Sequence, residues 1–94
     1  MSKQTLAVPE SLTIYEVSAL KESWFTKNIL ASDVELDLSV TSEIDGAGIQ
    51  LVFMLRRFLE RQQRILTLVN CPDEVLKQFT IVGLSELCTQ EAVV

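Results

Sequence analysis

The apolar positions of this 94-residue chain fall into short runs whose period changes along the sequence. Leu6-Ala7-Val8 and Leu12-Thr13-Ile14 flank Pro9-Glu10-Ser11. They predict two short strands near a sheet edge, because proline cannot donate to a central ladder. From Val17 the spacing becomes helical, with Val17, Leu20 and Trp24 on one stripe and Lys21 and Lys27 off it, so Trp24 is expected in the core. Val34 to Val40 then alternates strictly, placing Val34, Leu36, Leu38 and Val40 on the buried face of a strand. After a polar loop, Asp45-Gly46-Ala47-Gly48 opens the longest helical pattern, which runs to about Gln63. Asp45 fits the cap, and the glycines let the turn adopt dihedrals closed to other residues. Ile65 to Val69 is apolar nearly throughout and predicts a central strand covered or paired on both sides. Asn70-Cys71-Pro72-Asp73-Glu74 reads as a helix start, with Asn70 near the cap and Pro72 in the first turn. Val75, Leu76, Phe79 and Val82 form that helix's stripe, and Gly83 is its stop.

The order strand, strand, helix, strand, helix, strand, helix implies an α/β domain with a mostly parallel sheet and helices packed against it. In such sheets sites gather where strands end and the following helices begin, which points to Ser42 to Ile49. The length allows a single domain over residues 1–94. A chain this short buries about 60–70% of its unfolded surface, so any site is expected to be shallow.

Composition narrows the chemistry. There is no histidine, which removes the Ser-His and Cys-His dyads and imidazole metal ligands. Eight basic against thirteen acidic residues give a net charge of −5, which argues against general nucleic-acid binding. Cys71 and Cys88 lack CxxC spacing, the amino terminus does not resemble a signal peptide, and no apolar run approaches the roughly 18 residues of a membrane span. A reduced cytoplasmic protein without metal or cofactor, and without direct membrane insertion, is expected. Cys71 reads as a small packing or capping residue. Asp37, Glu43 and Asp45 are close in sequence, but Asp37 falls on a strand and Asp45 on a cap, so they do not read as an acid–base pair. No phosphate-binding GxxxxGK loop is present, and no enzymatic activity is predicted.

The long helix has two faces. Helical angles place Gly48, Leu51, Val52, Leu55, Phe58 and Leu59 toward the core and Phe53 almost opposite, with Ile49 and Met54 on the flanks. Gln50, Arg57, Glu60 and Arg64 share the outer face. An outward Phe53 rimmed by polar residues is the pattern of an interface anchor, unless the amino-terminal residues or the last helix cover it. All four arginines, Arg56, Arg57, Arg61 and Arg64, lie on this segment. They read first as a solvated face with i,i+4 pairing such as Glu60 to Arg64, and otherwise as a contact for an acidic partner surface or lipid head groups.

The segment Leu36 to Leu51, with Glu43-Ile44-Asp45-Gly46-Ala47-Gly48-Ile49-Gln50-Leu51 at its centre, resembles the signature of STAS domains, found in bacterial anti-sigma factor antagonists and sulfate transporter tails. Leu12-Thr13-Ile14-Tyr15-Glu16 and Asn70-Cys71-Pro72 through Phe79 to Gly83-Leu84 fall where that family has its second strand and third helix, so the resemblance spans about residues 5–87. It implies a small STAS-like α/β fold, with a mostly parallel mixed sheet of four to five strands and helices on one face. The family's motif is Asp, then Ser or Thr, a small residue and Gly, and a partner kinase phosphorylates the hydroxyl. Here Asp45, Ala47 and Gly48 match, and Gly46 stands at the phosphoacceptor position without a hydroxyl. Either Gly46 eases a tight turn in a constitutive binding module, or a neighbouring hydroxyl accepts phosphate instead: Ser39, Thr41 or, foremost, Ser42.

The resemblance further implies a non-catalytic signalling module that binds a regulatory kinase, anti-sigma factor or chemotaxis-linked partner. The expected contacts are Ser42, Glu43, Asp45, Gly46, Ala47, Gly48, Ile49, Phe53 and Arg57. The alternative is a cytoplasmic STAS subunit of a lipid-asymmetry ABC transporter. Ten residues follow Leu84. Ser85 to Cys88 can form a strand, but Thr89 to Val94 is too short for more than about one and a half helical turns, so the carboxyl end is expected to be shortened relative to the family.

Overall fold

A central strand with one apolar and one polar face sets the architecture. The computed structural model describes residues 3–25 and 32–83. Strand β3 (Asp33–Asp37) pairs in parallel with β1 (Lys3–Ala7) on one side and with β5 (Leu66–Val69) on the other. Val34 and Leu36 of β3, with Leu38 just beyond it, are fully buried, whereas Glu35 and Asp37 point to the opposite face. On that face Glu35 accepts from the Thr5 hydroxyl at 3.1 Å and pairs with Lys3 at 3.3 Å. The apolar face is covered by α1 (Val17–Trp24), α2 (Gly46–Glu60) and α3 (Asp73–Ile81), through Trp24, Leu51, Val52, Leu55, Leu59, Val75 and Phe79. Helices on one face of a parallel sheet therefore stand as expected. The central position falls to β3 and not to β5, which among the described residues pairs with β3 alone. The apolar run at β5 reflects burial of Leu66 and Leu68 on one face, while Ile65 is 64% exposed.

A second ladder of two short parallel strands, β2 (Ser11–Leu12) and β4 (Glu43–Ile44), lies beside the first. The sequence pattern gives β4 only as a polar loop. It is held by backbone bonds from Ser42 and Glu43 to the Glu10 carbonyl, and Asp45 N donates to the Leu12 carbonyl at 3.3 Å.

Local side-chain bonds end the strands earlier than the hydrophobic pattern predicts. β2 stops before Thr13 because the Glu16 carboxylate accepts from both Thr13 N and its hydroxyl, at 2.9 and 2.7 Å, in the manner of a capping box. β3 stops at Asp37, whose carboxylate accepts from Ser39 N at 2.9 Å, and Thr41 N then closes a turn on the Leu38 carbonyl. Val40 is consequently 63% exposed and does not share the buried face.

The helix ends also differ in detail. Helix α2 stops at Glu60, and Gln63 takes a left-handed conformation at φ 61°. Its N–H bonds to the Glu60 carbonyl and that of Arg64 to the Leu59 carbonyl, the paired closure of a Schellman motif. At the start of α3, Asn70 is not the cap. It turns left-handed at φ 57° and donates its amide to Asp37, while Pro72 occupies the cap position. Gly83, at φ +80°, ends α3 as expected, and Val82 lies beyond the helix, half-exposed. Lys27, the expected strand Ser85 to Cys88 and the shortened end Thr89 to Val94 lie outside the described residues.

Gln63 occupies a site where a side chain is strained and glycine is not. Gln63→Gly is expected to raise stability in urea unfolding by about 0.5–1 kcal/mol, after allowance for the extra entropy of the unfolded chain. A loss of stability would show that the Gln63 side chain carries a compensating contact.

Candidate functional site

The segment between β4 and α2 is organised by one carboxylate. Asp45 is extended (φ −128°, ψ −176°), so its side chain turns back over the first turn of α2. One oxygen accepts from Gly48 N at 3.0 Å and the other from Ile14 N at 3.0 Å. The first bond caps α2 and the second ties the turn between β2 and α1 to the same point. These donors, Gly48 first and then Ile14, hold the Asp45 carboxyl below its usual value of 3.8. Asp37 is likewise lowered, by Ser39 N and then Asn70. Glu43 is engaged separately, accepting from the Ser11 hydroxyl at 3.0 Å. The three carboxylates thus have independent structural partners. Among the described residues no group of three or more Cys, Asp or Glu side chains is placed to hold a metal ion.

The two glycines of the motif do different work. Gly48 is buried where α2 crosses β2. A Cβ there would overlap the Leu12 carbonyl oxygen and lie 2.8 Å from its Cγ. A Cβ at Gly46 would meet nothing within 4 Å among the described residues. Neither residue has a positive φ, so the expectation that these glycines supply special dihedrals is not met. Gly48 is required by space. Gly46 is required neither by space nor by conformation, and the reading that it eases a tight turn has no structural basis.

The alternative hydroxyls are unequal. Thr41 is 1% exposed and donates to the Pro9 carbonyl at 2.8 Å, which removes it from the surface. Ser39 and Ser42 are exposed.

Around Gly46 the first two turns of α2 present a broad shallow surface. One depression of about 540 Å³ runs between α1 and α2 past Val17, Ser18, Lys21 and Met54. A second, of about 350 Å³, lies on the other side of the helix past Ile49, Phe53 and Val82. Gly46 and Gln50 line both and form the saddle between them. Phe53 and Met54 are each 40% exposed. The Arg57 guanidinium lies 5.9 Å from the centre of the Phe53 ring. Val82, after α3, borders Phe53 without covering it. Phe58 is half-buried against Phe25 in an edge-to-face contact at 5.5 Å.

Gly46, Ala47, Ile49 and Phe53 therefore border the two depressions beside the helix start that Asp45 caps, while Gly48 lies buried beneath them and Arg57 lies one turn farther along α2, over the Phe53 ring. Ser42 and Glu43 sit on the β4 approach. The sequence pattern overlooked Ser18, Lys21 and Val82, and also Ile14 and the 90% exposed Tyr15, whose turn Asp45 anchors. The Thr13-x-x-Glu16 spacing was the available signal for that turn. The predicted pairing of Glu60 with Arg64 is replaced by Arg56 with Glu60 at 3.1 Å, because the helix ends before Arg64.

The sequence model of the family described as "Mlab, STAS domain" matches residues 2–89. The chain belongs to the STAS-domain family. A comparison with curated proteins gives no match. Among solved structures, the unphosphorylated anti-sigma factor antagonist SpoIIAA superposes with a TM-score of 0.79 at 18% identity, covering 97% of this chain and 84% of that one. A sulfate transporter family protein from Wolinella succinogenes gives 0.76 at 15% identity, over 89% and 69% of the two chains. The Thermotoga maritima protein tm1081 gives 0.77 at 15% identity, over 95% and 82%. The fold is thus that of SpoIIAA, with the strands of the described residues divided into ladders of three and two.

Two expectations follow. Gly48→Ala should cost about 2–3 kcal/mol in urea unfolding through overlap with Leu12, whereas Gly46→Ala should change stability by no more than about 0.5 kcal/mol. Equal effects would contradict the division of roles. For Asp45, a carboxyl lowered in the folded state contributes stability that is present above its unfolded pKa near 3.8 and is lost as pH falls through the lower folded value. Asp45→Asn keeps a capping oxygen but cannot titrate. Its urea midpoint should therefore fall less steeply than the wild type's from about pH 5 to about pH 2, and an unchanged slope would count against the bonds to Gly48 and Ile14.

Proposed function

We propose that this STAS-domain chain acts as a non-catalytic signalling module, a single domain over residues 1–94 working in the cytoplasm. It binds a regulatory kinase, anti-sigma factor or chemotaxis-linked partner through the Asp45–Gly48 loop and the outer face of α2. The observation that carries this reading is the open first turn of α2, where Gly46 stands between two apolar-edged depressions. A partner side chain reaching this saddle meets backbone and the flanks of Met54, Ile49 and Phe53, with Lys21, Gln50 and Arg57 as a polar rim. That is the arrangement of an apolar anchor surrounded by groups that exclude water. Without a hydroxyl at Gly46 no phosphate ester forms there, so binding is governed by the partner's state or abundance. Ser42 is the exposed hydroxyl nearest the motif in sequence and the remaining candidate for modification.

A second reading is favoured by the Mlab description of the matching family: a cytoplasmic STAS subunit of a lipid-asymmetry ABC transporter, docking on its ATPase. The same surface serves either role.

Affinity capture from native lysate, with wild type and Phe53→Asp in parallel, tests the proposal. Wild type is expected to recover an ATP-binding regulatory kinase, an anti-sigma factor or a chemoreceptor-array component, and Phe53→Asp to recover none while keeping stability within about 1 kcal/mol. Recovery of a transporter ATPase would select the second reading. Undiminished capture by Phe53→Asp, or a collapse of its stability, would remove the face from the account.

A further inference from the structure

Positive charge is concentrated on one short stretch of this acidic chain. Four arginines against Glu60 give residues 53–64 a net charge of +3, leaving −8 on the remainder of a chain whose total is −5. Glu60 is committed to Arg56. Among the described residues, Arg57, Arg61 and Arg64 have no carboxylate partner. Arg57 lies over the Phe53 ring, and Phe53, Arg56, Arg57, Glu60 and Arg61 line a depression of about 470 Å³ on the outer face of α2. The helix dipole favours cations at this end. It accounts for basic residues in the last turn, but not for a half-exposed aromatic ring beneath one of them at the edge of a hollow.

We infer that this hollow is a docking surface for an acidic segment of a partner protein, with an apolar side chain seated on Phe53 and carboxylates paired to Arg57 and Arg61. The inference rests on the binding role proposed above and adds the chemistry of the partner. Charge complementarity selects the occupant. Guanidinium groups in a fixed fork bind carboxylates in pairs, and a Phe–Arg platform offers apolar and cationic contact to one segment. An anionic membrane is the weaker fit: the surface contains a carboxylate, presents one partly covered aromatic ring for insertion, and belongs to a molecule whose remaining −8 is repelled by such a membrane.

The test is titration of the full chain with a synthetic peptide of repeated Glu-Glu-Leu units, followed by heteronuclear NMR of the backbone and arginine side chains. Controls are a Gln-Gln-Leu peptide and phosphatidylglycerol vesicles. The acidic peptide should shift Phe53, Arg57 and Arg61, and bind at least about tenfold more tightly than the neutral one at low salt, with the difference shrinking near 0.15 M salt. Arg57→Glu with Arg61→Glu should weaken binding at least about tenfold; Arg57→Gln with Arg61→Gln serves if the reversal disturbs folding. Equal binding of both peptides, shifts confined to other surfaces, or affinity unchanged in these variants would overturn the inference. Vesicle binding without peptide binding would overturn it in favour of lipid. The wider reading fails separately, through the capture experiment with Phe53→Asp at native partner concentrations.

Discussion

The two hydrogen bonds accepted by Asp45 fix everything around the candidate site. One carboxylate closes the amino end of α2 through Gly48 N and holds the turn after β2 through Ile14 N. These segments are 31 residues apart in sequence for the second bond and adjacent in space. The approach is close because Gly48 has no side chain, so α2 rests directly on the Leu12 carbonyl. Cap, turn and crossing therefore depend on one another. The carboxylate can make both bonds only if the helix lies this near, and the helix lies this near only where residue 48 is glycine. Burial of Leu51, Val52, Leu55 and Leu59 against the sheet then supplies the apolar stabilisation of the arrangement.

Given that scaffold, Gly46 at the start of α2 stands clear of the other described residues. The depressions on either side of Gly46 are open and shallow, with apolar edges that partner side chains can meet. The proposed binding role follows from that openness together with the exposed flanks of Phe53 and Met54. Farther along the helix the arginines would add a second kind of contact, electrostatic and dependent on salt, and Phe53 at mid-helix borders both the apolar depression and the cationic one.

Much of this was legible in the sequence, and the parts that were not have physical causes. Strict alternation from Val34 to Leu38 located the central strand, and the Asp45 cap and Gly83 stop were read from residue chemistry that acts locally. Val40 continued the alternation on paper, but the Asp37 carboxylate turned the chain through Ser39 N before that position was reached. The end of α2 was masked because Gln63, with no glycine signal, occupies the left-handed position. β4 has only two residues, Glu43 and Ile44, too few to show a period. β5 read as central because an apolar run reports burial of faces and says little about how many neighbours a strand has. At the site, the motif residues were identifiable, whereas Ser18, Lys21 and Val82 reach it through tertiary packing that no local pattern encodes. The separate reasons for Gly46 and Gly48 are equally invisible in sequence, since they depend on the distance of each from Leu12.

Amide hydrogen exchange at Ile14 and Gly48 tests this linkage most directly. If one carboxylate holds both segments, the two amides are protected in the wild type with closely matching opening free energies, and both lose protection together in Asp45→Ala while β3 amides such as Leu36 remain slow. Rapid exchange of Ile14 in the wild type, or protection of Ile14 that survives in Asp45→Ala, would contradict the account.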